Sequence, residues 1–191
     1  GELRDVAILT VDLRGFTRLS TELAPGDVMK VLQDYQGRVC PLIARNGGSI
    51  DKFLGDGILA SFGAVTPSTT AVADALRAAD AVLEAADRWA AERRSAGLAP
   101  LSIGLAVASG RVVFGAVGDS ERLEFTVIGD AVNFAAKLEK HNKDEKTRAV
   151  TDAGTYALAE QQGYLPSVVR ERRTGRTVAG VAEPVDIVVL A

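Results

Sequence analysis

Cysteine and histidine are nearly missing from this chain. A single cysteine, Cys40, leaves no internal disulfide and no cysteine-built zinc site, and a single histidine, His141, removes most histidine-centred metal or nucleophile chemistry. Cys40 falls on a helical pattern and reads as a small buried hydrophobe. His141 lies in the charged stretch from Lys140 to Arg148 and reads as solvated. A basic balance is missing too: the formal net charge is -3, so there is no electrostatic footprint for nucleic acid or an anionic membrane, and an anionic substrate would need local metal ions. Long apolar runs are lacking as well. None approaches the ~18 residues of a spanning helix, and no signal-peptide pattern opens the sequence.

What is present is the balance of an ordinary globular protein, 47% apolar and 25% charged over 191 residues, enough for one sizeable core without staples. Residues 1–191 are expected to form a single domain. Gly1-Glu2-Leu3-Arg4 run almost directly into a strand with no initiator methionine, which suggests a domain excised from a longer regulated protein. The domain itself is expected in the cytoplasm without membrane contact, any membrane attachment coming from a missing N-terminal region. Val6 to Val11 reads as a buried strand. A helix starts near Asp27, with Val28, Val31, Leu32, Tyr35, Val39 and Leu42 on one face. Two strands flank Gly55-Asp56-Gly57, and an Ala-rich helix follows to about Ser95. Leu101 to Ala108 and Arg111 to Val117 read as a second hairpin over Ser109-Gly110. Another strand leads into a helix from Gly129-Asp130 to about Glu139, and a strand, helix and strand close the chain. This order predicts an α+β fold related to the ferredoxin-like layout, a mixed sheet with its helices packed on one face.

Two short segments carry the chemistry. Val11-Asp12-Leu13-Arg14-Gly15-Phe16-Thr17 and Asp51-Lys52-Phe53-Leu54-Gly55-Asp56-Gly57 each set a carboxylate just past strand-type residues, beside glycines that admit close approach. Such a pair suits a hard divalent cation held against phosphate oxygens, because Mg²⁺ is usually bound by one or two carboxylates plus the phosphates of a substrate. The competing roles are a helix-capping Asp12 and a turn-forming Asp56. The backbone N–H groups opening the helical turn after Arg14, at Gly15, Phe16 and Thr17, would cradle phosphate.

These segments, with the Gly110 to Gly118 stretch and Thr126-Val127-Ile128-Gly129-Asp130-Ala131-Val132-Asn133, resemble the catalytic domain of class III adenylyl and guanylyl cyclases, in the family's order and spacing over nearly the whole chain. The resemblance implies the nucleotide cyclase fold and two divalent metal ions, Mg²⁺ or Mn²⁺, held by Asp12, Asp56 and the Leu13 carbonyl. It implies purine reading by Lys52 and Thr126, ribose orientation by Asn133 and triphosphate stabilisation by Lys137. Lys52 can only donate, which suits adenine N1 and disfavours guanine N1–H, while Thr126 can donate or accept. The expected substrate is therefore ATP, converted to 3′,5′-cyclic AMP and pyrophosphate for intracellular signalling. The resemblance also implies a homodimer with two shared sites, Asp12 and Asp56 of one copy facing Lys52, Thr126, Asn133 and Lys137 of the other.

Two positions depart from the family pattern. Lys137 stands where an Arg is usual and loses the planar fork that clasps two phosphate oxygens. Ala179 and Val181 are uncharged where a phosphate-binding Lys is frequent, leaving Arg176 as a further candidate for triphosphate charge. No residue is an obvious general base. The alternatives are a nucleotide-binding or dimerisation module weak or inert in catalysis, and a guanylyl cyclase.

Overall fold

A computed structural model describes residues 1–191. The chain runs β1 (Glu2–Arg14), α1 (Phe16–Glu22), α2 (Pro25–Arg45), β2 (Gly48–Leu54), β3 (Gly57–Phe62), α3 (Ala71–Ser95), β4 (Ser102–Gly118), β5 (Leu123–Ile128), α4 (Asp130–Glu145), β6 (Ala149–Asp152), α5 (Ala153–Gln161), β7 (Arg172–Arg176) and β8 (Val185–Val189). One eight-stranded mixed sheet has the order β2-β3-β1-β4-β6-β8-β7, with β5 paired to the far part of β4. All neighbours are antiparallel except β4 and β6. The expected α+β mixed sheet is therefore present. No helix is long and apolar enough to cross a membrane.

Strand alternation divides the core in two. Ala7, Leu9, Val11 and Leu13 of β1 face α2 and α3, whose buried Val31, Tyr35, Val39, Ile43, Leu76 and Val82 complete the larger cluster. The alanines of α3, seven of them buried between Ala71 and Ala86, keep that helix close to the sheet. Val6 and Ile8 point the other way and meet Ala131, Ala135 and Leu138 of α4. The expectation that the helices share one face thus holds for α2 and α3 but not for α4. The parity of β1 requires this, because both its odd and its even residues are apolar and both must be covered.

Two further expectations are corrected. Ser109-Gly110 is no turn: β4 runs through it for 17 residues, with Ser109 opposite Ala7 and Gly110 opposite Val6 in the ladder with β1. The glycine serves close packing, since a Cβ at Gly110 would sit 3.1 Å from that of Ala131 on α4. The true hairpin joins β4 and β5, where Asp119 accepts from the backbone N–H groups of Glu121 and Arg122. Lys140 to Arg148 is not all solvated either. His141 is 5% exposed and its Nε2–H donates to Glu145 at 2.7 Å, while Asn142 is fully buried and donates to the Leu105 carbonyl at 2.9 Å.

Candidate active site

The end of β1 builds the first half of the site. Its ladder with β3 stops at Val11 opposite Ile58, whereas its ladder with β4 continues to Arg14 opposite Ser102. Residues 12–14 therefore have an open edge beside the β2–β3 turn. Gly55 bends that turn with φ of 62° and brings Asp56 to the edge. Leu13 faces the larger core, 5% exposed, leaving only its backbone to the edge. Asp12 points to the α4 face. Burial raises its pKa above the usual carboxylate range, the neighbouring Glu139 opposes that rise, and the nearby charge of Asp56 adds to it.

The two candidate metal carboxylates thus feel one another's charge. Tyr35 lies beneath them: its hydroxyl donates to the Val11 carbonyl at 3.3 Å, and burial, then the charges of Asp12 and Asp56, push its pKa up. Asp12 Oδ1 is buried without a hydrogen-bond partner. An orphaned carboxylate oxygen beside a second carboxylate fits a divalent cation, which would neutralise both. No cluster of three or more His, Cys, Asp or Glu side chains stands ready to hold an ion alone. Two carboxylates would need oxygens from backbone and substrate, the habit of Mg²⁺.

Glu139 was not foreseen from sequence. It reaches from α4 into a hollow over Gly104, where a Cβ would lie 2.5 Å from its Oε1 and 3.0 Å from Arg14 Nε. Burial, then the neighbouring Asp12 carboxylate, raise its pKa to about 7. Arg14 donates to the Thr147 carbonyl at 2.9 Å, tying the end of β1 to the loop after α4.

The purine-reading candidates meet elsewhere. β2 and β5 are not ladder neighbours, yet Thr126 Oγ1 donates to Asp51 Oδ1 at 2.9 Å, so the β4–β5 arm curls back over the sheet. Lys52 Nζ lies 3.4 Å from Asp51 and 3.9 Å from Glu124. Asn133 and Lys137 share one face of α4. Asn133 is exposed, and the Lys137 ammonium donates to the Gly180 carbonyl at 2.8 Å. Lys137 and Gly180 help line a cavity of about 400 Å³ with Lys140, His141, Asp144 and Ala179. Arg176 is turned to Glu145 at 3.5 Å, an ion pair that takes its charge away from the triphosphate role.

Gly15 caps α1 in the left-handed region, φ 77°, with open space around it. Phe16 packs on the larger core and Thr17 is exposed. No hydrogen bond or ion pair joins the Asp12–Asp56 set to the Lys52–Thr126 set within one chain.

The same architecture recurs in known proteins. Residues 1–178 match the family described as Adenylate and Guanylate cyclase catalytic domain. The chain is 37% identical over 140 residues to an adenylate cyclase of Anabaena cylindrica, a match covering 71% of this chain and 27% of that protein. Among solved structures, the guanylyl cyclase Cya2 superposes with a TM-score of 0.86 at 33% identity, covering 99% of this chain and 92% of that one. The adenylyl cyclase CyaB from P. aeruginosa also reaches 0.86, at 25% identity, with 100% and 95% covered. Both purine specificities thus occur among similar structures. By sequence and by fold alike, this chain belongs to the adenylate and guanylate cyclase catalytic domain family.

Proposed function

We propose that the chain is an adenylate cyclase domain that converts ATP to 3′,5′-cyclic AMP and pyrophosphate at sites shared by two copies of itself. The observation that carries this is a buried, unpartnered carboxylate oxygen on Asp12, within electrostatic reach of Asp56. In the reaction the ribose 3′-oxygen bonds to the α-phosphorus, the bond from that phosphorus to the bridging oxygen of pyrophosphate breaks, and the 3′-hydroxyl proton passes to a substrate phosphate oxygen or to solvent. Bound divalent ions would acidify that hydroxyl and neutralise charge on the leaving group. The residues of the chain do the positioning: Lys52 donates to adenine N1, Thr126 meets the exocyclic amine, Asn133 orients the ribose and Lys137 meets the triphosphate.

A second copy would complete each site, since no hydrogen bond or ion pair joins the two sets within one chain. Leu3, Val113, Val117, Leu123, Phe125 and Ile128 are 43–66% exposed on the sheet and its β4–β5 arm. Such an apolar patch suits a second copy of the chain. The Anabaena relative is much longer than the matched region, which supports a catalytic domain that forms part of a longer protein.

The test is product analysis with Mn²⁺ and equal ATP and GTP over a range of protein concentration. Cyclic AMP is expected, at a rate rising more steeply than linearly with protein. Full activity in both Asp12→Ala and Asp56→Ala would overturn the metal assignment. Two other readings have their own support. The committed ammonium of Lys137 and the uncharged Ala179 and Val181 favour a module that binds nucleotide without turnover, to which calorimetric binding of Mn²⁺–ATP with no product would point. The likeness to guanylyl cyclase Cya2 favours GTP, in which case cyclic GMP would dominate.

A further inference from the structure

Asp51 stands outside the residues assigned above. It occupies a bulge: Ile50 pairs with Ala60 and Lys52 with Leu59, so Asp51 is an extra residue in β2 with no partner on β3. The insertion matters because Ala60 faces the larger core and Leu59 the α4 face. Under strict alternation Lys52, two residues after Ile50, would share the core side with it. The bulge sends it to the opposite face, where Asp12 also points.

The Asp51 carboxylate is 3% exposed and its two oxygens have separate duties. Oδ2 accepts from the Val127 backbone N–H at 3.1 Å, an outward donor of β5 that would otherwise go unpaired. Oδ1 accepts from Thr126 Oγ1 at 2.9 Å and lies 3.4 Å from Lys52 Nζ. An ionised carboxylate can only accept, so the Thr126 hydroxyl proton must point at Asp51. What remains of that hydroxyl for a ligand is its lone pairs. We propose that Asp51 is a positioning residue for purine choice, fixing Thr126 as an acceptor beside the Lys52 donor.

This rests on the adenine reading above and completes it. Adenine presents an acceptor at N1 and a donor at N6, matching a donor and an acceptor in fixed places, whereas guanine presents the reverse pair. In Asp51→Asn the single oxygen is needed by Val127 N–H, so the amide turns its NH₂ toward Thr126. The hydroxyl then accepts from Asn and swings its own proton outward, reversing the polarity offered to the base.

The experiment measures kcat/KM for ATP and for GTP, together with competition of the two nucleotides for binding, in the full chain with Mn²⁺. Thermal melting reports folding of each variant. The wild type is expected to favour ATP, and Asp51→Asn to lower the ATP:GTP ratio roughly tenfold, in binding and in turnover. Thr126→Val, which keeps the shape and removes the lone pairs, should lower the ratio similarly. The double variant should lose little more, because Asp51 acts through Thr126. A ratio within twofold of wild type in Asp51→Asn, or in Thr126→Val, would overturn the proposal, even if both nucleotides were used more slowly. That outcome leaves the adenine reading standing when the wild type favours ATP. Wild-type preference for GTP would instead remove the adenine reading and this proposal with it.

Discussion

The two faces of the sheet are built for different ends. The face under α2 and α3 holds a core of 32 buried apolar residues. The α4 face holds 14, and at its edges collect Asp12, Arg14, Lys52 and Glu139. One face is closed by apolar packing and supplies stability. The other is only partly covered by a single helix, and there charged groups with missing or shared partners accumulate. Groups with unmet needs are what a ligand can satisfy, so the thinner face is where chemistry has room.

The comparison can be broken from either side. Leu76→Ala, in the wall of the thick face, is expected to lose about 2–5 kcal/mol of unfolding free energy in urea titrations while purine preference stays unchanged. A shifted ATP:GTP ratio in that variant would show that the faces are not separable. Asp12→Asn and Asp56→Asn should do the opposite, lowering cyclic nucleotide formation by roughly 10²–10³-fold, by analogy with loss of one preorganised electrostatic group. Melting temperature should not fall in Asp12→Asn, because burial and Asp56 already disfavour the charge that the substitution removes.

Lys137→Ala should reduce turnover about tenfold, as expected for a lost charge-assisted contact, and Lys137→Arg should restore or exceed the original rate. A rate unchanged in the alanine variant would detach α4 from the chemistry. The smallest effect is expected for Phe125→Ser on the exposed arm. Its monomer should melt as before, while sedimentation shows self-association weakened by about three- to tenfold.

Much of the thick face was legible because its signals are local. A continuous apolar run gave β1, helical spacing gave α2, and an alanine-rich stripe gave α3. The turn carrying Asp56 was legible for the same reason, since glycines on both sides mark it. What was hidden depends on partners distant in sequence. Ser109-Gly110 has the composition of a turn, and only the presence of β1 as a ladder and of Ala131 overhead explains why the chain runs straight there. The side taken by α4 follows from the parity of β1 once β3 and β4 are known to flank it, which spacing alone does not say. His141 looked solvated amid charges, but one of those charges, Glu145, is its buried partner. Asp51 is, in sequence, only the first residue of the segment that carries Asp56. Its bulge is invisible until the β2–β3 register is known, and Glu139 offered no signal before Gly104 opened the space for it.

The resting place of Lys137 has an outcome for the end of the chain. The ammonium that donates to the Gly180 carbonyl keeps two further N–H donors, so a triphosphate within reach of that position would be met without cost to the loop, whereas one lying farther out would draw Lys137 off Gly180 and loosen the loop between β7 and β8. That loop would then act as a tally of occupancy, its amides exchanging with deuterium faster when the site is filled.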